Sequence, residues 1–216
     1  MIKSILQRGV FYTIGIVFNR IVPVKLFRFR IFCVYELQRS SIENKPNPPM
    51  QLSWCESDRE LEQAKGLTHF RTSEDLVSDR YEVCLATAEG SADPIGGVWR
   101  AREQFDEEEL GVRIKLDPQQ AWIFAAYVAK SHRGQGVYAA LLEHVLRERD
   151  QVIHFASINP TNKPSIAAHR KFIRRTTGTC VAIRIFGICG CWTSAGLRRD
   201  RSVSFSCQAV PIEVRF

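Results

Sequence analysis

The sequence predicts an α/β or α+β domain built around one mixed sheet, and three observations predict it. Apolar runs of strand length alternate with segments of helical period along most of the 216 residues. One run, Ala121–Ala129 (AWIFAAYVA), is apolar throughout, as a central strand covered on both faces is. After it, Val137, Ala140, Leu141, His144, Val145 and Glu148 recur at the spacing of one helix face, which predicts a helix over Gly136–Glu148.

Taken in order, Ile2, Ile5, Leu6, Val10, Ile14, Val17, Phe18 and Ile21 follow helical spacing up to Pro23. Residues 26–37 alternate and then become continuously apolar, which predicts a strand entering a core. Ser40–Pro49 is polar and rich in Pro and Asn, so it reads as a linker. The expected organisation is therefore an N-terminal helix–strand extension with linker, 1–45, and a main domain, 46–216. In that domain Gln51–Cys55 reads as a short strand. Ser57 and Glu60 form a capping box opening a helix with Leu61, Ala64 and Leu67 on one side. A second short helix is expected at Thr72–Arg80, then strands at Tyr81–Ala88 and Ile95–Gln104. The acidic loop Phe105–Leu110 follows, with the strand resumed at Gly111–Leu116. Beyond the central strand and its helix come a strand at Val152–Ile158, a helix at 163–172, and strands at Thr179–Cys189 and within Ser202–Val214.

Charge is uneven. The formal net charge is +7, yet residues 1–45 carry +6, residues 170–216 carry +7, and the centre carries −6. Basic ends suit phosphate groups of a cofactor or a membrane surface; no RNA-binding signature or DNA-reading motif is present, so no nucleic-acid partner is expected. Seven cysteines, odd in number and mostly in apolar runs, suit a reducing, cytoplasmic setting and small buried side chains. Cys189-Gly190-Cys191 has no second Cys or His pair at zinc spacing, so no metal is expected. The uncharged stretch Gly9–Asn19 is shorter than the roughly 20 residues that span a bilayer. Its helix either packs on the domain or lies at an anionic membrane face through its flanking Lys and Arg, a peripheral contact with the inner face of a membrane.

Between the central strand and its helix stands Ser131-His132-Arg133-Gly134-Gln135-Gly136. A helix N-terminus presents unpaired N–H groups and a positive dipole end, and glycine lets an anion approach them. The loop lacks the Gly-Lys-Ser/Thr ending of a nucleoside-triphosphate loop and the third glycine of a dinucleotide fold. Downstream the chain reads ASINPTNKPSIAAH. The pairing of R-G-x-G with N-x-x-N-x-x-S-x-x-x-H resembles the GNAT (GCN5-related N-acetyltransferase) superfamily, over roughly Gln51 to Cys189 and most strongly over Ala121–Gly178.

That resemblance implies a mixed, mostly antiparallel sheet with splayed central strands, flanked by helices. It implies acetyl-CoA, or another acyl-CoA, lying in the gap. The pantetheine arm would pair with Tyr127, Val128 and Lys130. The pyrophosphate would sit on Arg133, Gly134, Gln135, Gly136, Val137 and Tyr138, while Asn159, Asn162 and Ser165 line the pantetheine and adenosine side. A tyrosine that protonates the leaving thiolate is common at the position held here by His169, with Tyr127 or Tyr138 as the other candidates. The sequence departs from the family pattern at Ser131, at Ile173-Arg174 and at His169. An imidazolium acid at His169 would lose activity at high pH. The implied function is an N-acyltransferase, most simply an N-acetyltransferase, acting on a small-molecule or peptide amine. The alternative is a non-catalytic acyl-CoA-binding or membrane-surface protein. Asn162 also suits a helix N-cap, and His144 a core position. Glu82 and Glu103 are candidates for the base, and Asp106–Glu109 is either a solvated loop or an attractor of cationic amines.

Overall fold

A computed structural model describes residues 15, 17–23, 26–40, 49–68, 80–147, 152–194, 196–205 and 211–216. Most of the expected N-terminal helix, the second short helix and the linker fall outside these residues. The described strands are β1 (Phe27–Leu37), β2 (Met50–Trp54), β3 (Tyr81–Ala88), β4 (Pro94–Ala101), β5 (Gln104–Glu107), β6 (Val112–Lys115) and β7 (Gln120–Val128). After β7 come β8 (Ile153–Ile158), β9 (Ile173–Ile185), β10 (Ile188–Thr193), β11 (Arg198–Arg199), β12 (Val203–Ser204) and β13 (Ile212–Arg215). The helices are α1 (Asp58–Thr68), α2 (Val137–Arg147) and α3 (Lys163–His169). The expected capping box is present at α1: Glu60 accepts from the Ser57 N–H and hydroxyl, and Ser57 Oγ accepts from the Glu60 N–H.

Nine strands form one sheet in the order β12-β10-β9-β1-β8-β7-β4-β3-β2. Every neighbouring pair in it is antiparallel except β7–β8. The strand expected in an N-terminal extension lies inside this sheet. β1 pairs with β8 from Cys33↔Ile158 to Leu37↔His154, and with β9 along its full length. The reason is legible in its side chains. Phe32, Val34 and Leu37 are buried apolar residues, so β1 gains more from two neighbours than from an edge. Buried Glu36 accepts from Arg174 (2.8 Å) and Arg175 (2.6 Å) of β9, which ties its end down.

The acidic segment also departs from expectation. Gln104–Glu107 is strand β5 of a second, four-stranded sheet ordered β11-β13-β6-β5. Its carboxylates are spoken for: Asp106 pairs with Arg113, Glu107 with Arg30, and Glu109 with Arg28 and Arg30. They neutralise β1 and β6 rather than presenting a free patch to an amine.

The two faces of the large sheet have different covers. Val137, Leu141, Leu142 and Val145 of α2 pack on Val98, Ile123 and Ala156. On the other face an aromatic layer joins the two sheets, with Phe105 stacked on Trp122 at 6.0 Å and Phe216 on Phe155 at 4.0 Å. Burying each such side chain is worth about 1.5–3 kcal/mol. His144 stands beside Trp54, ring centroids 6.4 Å apart. Five of the described cysteines are free thiols, whereas Cys189 is disulfide-bonded, a departure from the reducing pattern that its apolar surroundings suggested.

Candidate active site

The site begins where β7 and β8 part. Their ladder runs from Gln120↔Ile153 only to Ile123↔Ala156. Beyond it β8 stays with β1, at Ser157 and Ile158, and β7 stays with β4, at Tyr127 and Val128. A bulge drives the parting. Gly97 faces Tyr127 and Trp99 faces Phe124, so Ala125 and Ala126 together oppose Val98. Ala125 takes φ +44°, and such an extra residue bends its strand and adds twist.

Past Val128 the chain makes a 3₁₀ turn, Lys130–His132, and enters α2 through Gly134 (φ +79°) and Gly136 (φ +81°). Those dihedrals favour glycine and aim the first-turn N–H groups outward. The Gln135 amide donates to the Ser131 carbonyl at 3.0 Å, closing the loop. A cavity of about 660 Å³ opens over it, lined by Val128, His132–Gly134, Gly136–Ala139, Ala167, Ala168, Arg170 and Lys171. The arrangement can hold a phosphate-bearing ligand. A helix of 11 residues points its N-terminus at the cavity, and four basic side chains border it.

Of the residues read from the sequence, Val128, Arg133, Gly134, Gly136, Val137 and Tyr138 line this cavity. Arg133 is folded back, its Nε donating to the Val128 carbonyl at 3.0 Å and its guanidinium 5.5 Å from the Tyr127 ring centroid. Lys130 is exposed in the turn. Asn159 Oδ1 accepts from the Thr161 N–H and hydroxyl. Asn162 caps α3, accepting from the Ser165 N–H at 3.1 Å. These contacts account for both asparagines locally. Arg170 and Lys171 were missed in the sequence; lying just after the His169 position, they were readable only once α3 was known to face the loop.

Tyr138 and His169 meet here. His169 Nδ1 lies 2.8 Å from the Ser165 carbonyl, which only accepts, so Nδ1 carries the proton. His169 is 6% exposed, and burial lowers its pKa, against which the Ser165 bond works. The ring is therefore neutral, its Nε2 is a lone pair, and the Tyr138 hydroxyl donates to it at 2.6 Å. Burial raises the Tyr138 pKa, keeping the phenol protonated. Of the acid candidates read from the sequence, Tyr138 lines the cavity, its proton lying on the bond to His169, whose ring stands behind it. Neither candidate base lines the cavity. Glu82 is bound to Arg100 and Arg102, and Glu103 sits in the β4–β5 turn at φ +61°.

A mostly antiparallel sheet, one parallel pair that parts at a bulge, and a glycine loop under a helix N-terminus together define an acyltransferase type of fold. The profile of the Acetyltransferase (GNAT) family matches residues 41–172, and the chain belongs to that family. No curated protein matches it. Among solved structures it is similar to a functionally unknown conserved protein from Staphylococcus epidermidis, at 11% identity and TM-score 0.50, covering 69% of this chain and 60% of that one. A GCN5-related N-acetyltransferase from Kribbella flavida matches at 13% identity and TM-score 0.47, covering 72% and 58%. AAC(6')-Iy, in complex with the bisubstrate analogue CoA-S-monomethyl-acetylneamine, matches at 19% identity and TM-score 0.45, covering 59% and 92%. The chain thus spans about three-fifths of the length of the first two, 60% and 58%. Among the described residues no helix is long and apolar enough to cross a membrane.

Proposed function

We propose that the protein transfers an acyl group, acetyl in the simplest case, from acyl-CoA to a primary amine by direct attack. The observation that carries this reading is the Tyr138–His169 pair at the cavity where β7 and β8 part. Acyl-CoA supplies the thioester. The fit is in the cradle: N–H groups at Gly134–Tyr138 take the pyrophosphate, with Arg170, Lys171 and His132 near enough to the same cavity to balance phosphate charge. The β7 edge beyond Ile123 offers backbone groups to the pantetheine arm.

A neutral amine attacks the thioester carbon, forming the C–N bond. The backbone N–H near Val128 stabilises the oxyanion. The intermediate collapses with cleavage of C–S, and the Tyr138 hydroxyl, turning its proton from His169 Nε2, gives it to the leaving thiolate. The proton lost by nitrogen restores the phenol through solvent, so the sum is one amide and one free thiol. His169 holds the hydroxyl in place through Nε2 and is held in turn by Ser165.

The test is release of free CoA thiol from acetyl-CoA against a panel of amines: small polyamines, amino sugars and peptide N-termini. Amine-dependent release supports the proposal. Saturable acetyl-CoA binding with no release over the whole panel overturns it in favour of a non-catalytic binding protein.

A further inference from the structure

A second surface, remote from the glycine loop, combines strain, exposed apolar side chains and a net positive charge. β9 and β10 are joined by a two-residue turn, Phe186-Gly187, with φ +48° and +87°. Positive φ at both turn residues is the pattern that favours Asn-Gly, and a bulky aromatic is an outlier there. Phe186 is nevertheless 76% exposed. Its side chain thus carries both a conformational and a hydration cost, which directs attention to function.

Its surroundings are alike. Ile185 and Ile188 flank the turn as cross-strand partners, and both are exposed. The Phe186 N–H donates to the Leu26 carbonyl, and Phe27 pairs with Ile185. Residues 17–21 are helical and lie on the same edge, the Phe18 ring 5.6 Å from that of Phe27. The Asn19 amide accepts from the Phe29 N–H and donates to its carbonyl, locking this turn of helix to β1. Phe18, Ile21 and Leu26 are exposed as well. A contiguous apolar tip therefore stands at one end of the sheet.

Charge chooses the occupant. The described residues among 15–35 and 176–194, which build this end, contain Arg20, Arg28, Arg30 and Arg184 and no Asp or Glu. Glu107 and Glu109 reach Arg28 and Arg30 from the second sheet, leaving Arg20 exposed beside the tip. A second copy docked face to face would set the two Arg20 side chains and the net positive tips together; an anionic bilayer would attract them. We propose that this tip is a peripheral docking surface for an anionic lipid bilayer, with Phe186 inserted at the acyl boundary and Arg20 at the headgroups. Of the helix expected from the sequence, the described turn 17–21 supplies part of the contact, and the β9–β10 hairpin supplies the rest. The proposal is independent of the acyl-transfer reading.

The test is co-sedimentation with vesicles of phosphatidylcholine mixed with phosphatidylglycerol, against phosphatidylcholine alone. The full chain should bind the mixed vesicles more tightly, with affinity falling as salt rises. Phe186→Asn should weaken binding about tenfold, the scale of burying one aromatic side chain. Since Asn suits this turn, its thermal midpoint should not fall below that of the parent, which separates lost insertion from lost folding. No binding by the parent, equal binding to both vesicles, or unchanged binding by Phe186→Asn overturns the proposal. So does a dimer in sedimentation equilibrium that Phe186→Asn makes monomeric, which assigns the tip to a second copy.

Discussion

The closed and open ends of the β7–β8 pair each bury a histidine, and the two histidines behave differently. At the closed end His154 faces Ala121 across the ladder and is 1% exposed. Burial and then Arg100 and Arg102 push its pKa down to about 4, against a bond to the Val152 backbone. Among the described residues its Nε2 has no hydrogen-bond partner. At the open end His169 is also buried and also neutral, but both its nitrogens are engaged, one by Ser165 and one by Tyr138. A depressed pKa is common to both ends, so it marks burial and not chemistry. What distinguishes the open end is a second ionisable group held at 2.6 Å and facing a cavity.

The sharpest way to break this comparison is Tyr138→Phe. If the phenol delivers the thiolate's proton, kcat should fall about 10³-fold, within the usual range for a general acid, while KM for acyl-CoA changes little. Steady-state kinetics on any accepted amine decides it. A kcat within threefold of the parent would remove Tyr138 from the chemistry and leave the open end no different from the closed one.

The closed end predicts a stability effect with no catalytic counterpart. His154 has a folded pKa of about 4 against an unfolded value of 6.5, so the unfolded chain binds the extra proton between those values. Its contribution is present above pH 6.5 and is lost as the pH falls toward 4, a loss of about 3 kcal/mol. His154→Leu removes both the titration and an unpartnered buried nitrogen. Denaturant unfolding at a series of pH values should show a shallower acid loss, with stability at pH 7 equal or higher. Acyl transfer should be unchanged. A Leu variant with the parent's acid slope would show that other groups carry the transition.

How much of this was legible in the sequence depends on the range of the forces involved. The glycine loop, the α2 face, the capping box at Ser57 and the N-cap at Asn162 are local, and each was readable from spacing. The family followed from two short segments. The place of β1 was not readable, because a strand's neighbours are chosen by the whole sheet and a polar linker after it looks the same in either case. The acidic segment failed for a related reason: its partners, Arg28, Arg30 and Arg113, lie far away or on a neighbouring strand. The tautomer of His169 and its pairing with Tyr138 were not readable, since burial and the Ser165 bond are tertiary facts.

A milder probe of the open end is His169→Phe. The phenol keeps its proton but loses the partner that holds its oxygen in place, so kcat should fall about tenfold rather than 10³-fold. The pH profile carries the more specific signal. In the parent the imidazole protonates below its ordinary value of 6.5 and ceases to accept from Tyr138, giving a fall on the acid side and none from this group on the alkaline side. The Phe variant should lose that acid fall. A parent profile that instead declines from pH 7 to 9, with the decline absent in His169→Phe, would restore the imidazolium acid.

The smallest effect expected is at Gly134. No atom lies within 4 Å of the position a Cβ would take there, so Gly134→Ala introduces no clash. What it introduces is strain, because φ is +79° and an L-residue in that region costs about 1–2 kcal/mol. If the loop's conformation exists to aim N–H groups at a pyrophosphate, the strain shifts the loop and weakens cofactor binding. KM for acyl-CoA should then rise about fivefold with kcat unchanged, and Gly134→Asn should rise less, since Asn tolerates positive φ better than Ala. Equal losses of kcat in both variants would point to disruption carried down α2 to Tyr138, and the cradle and the acid would then be one mechanical unit rather than two.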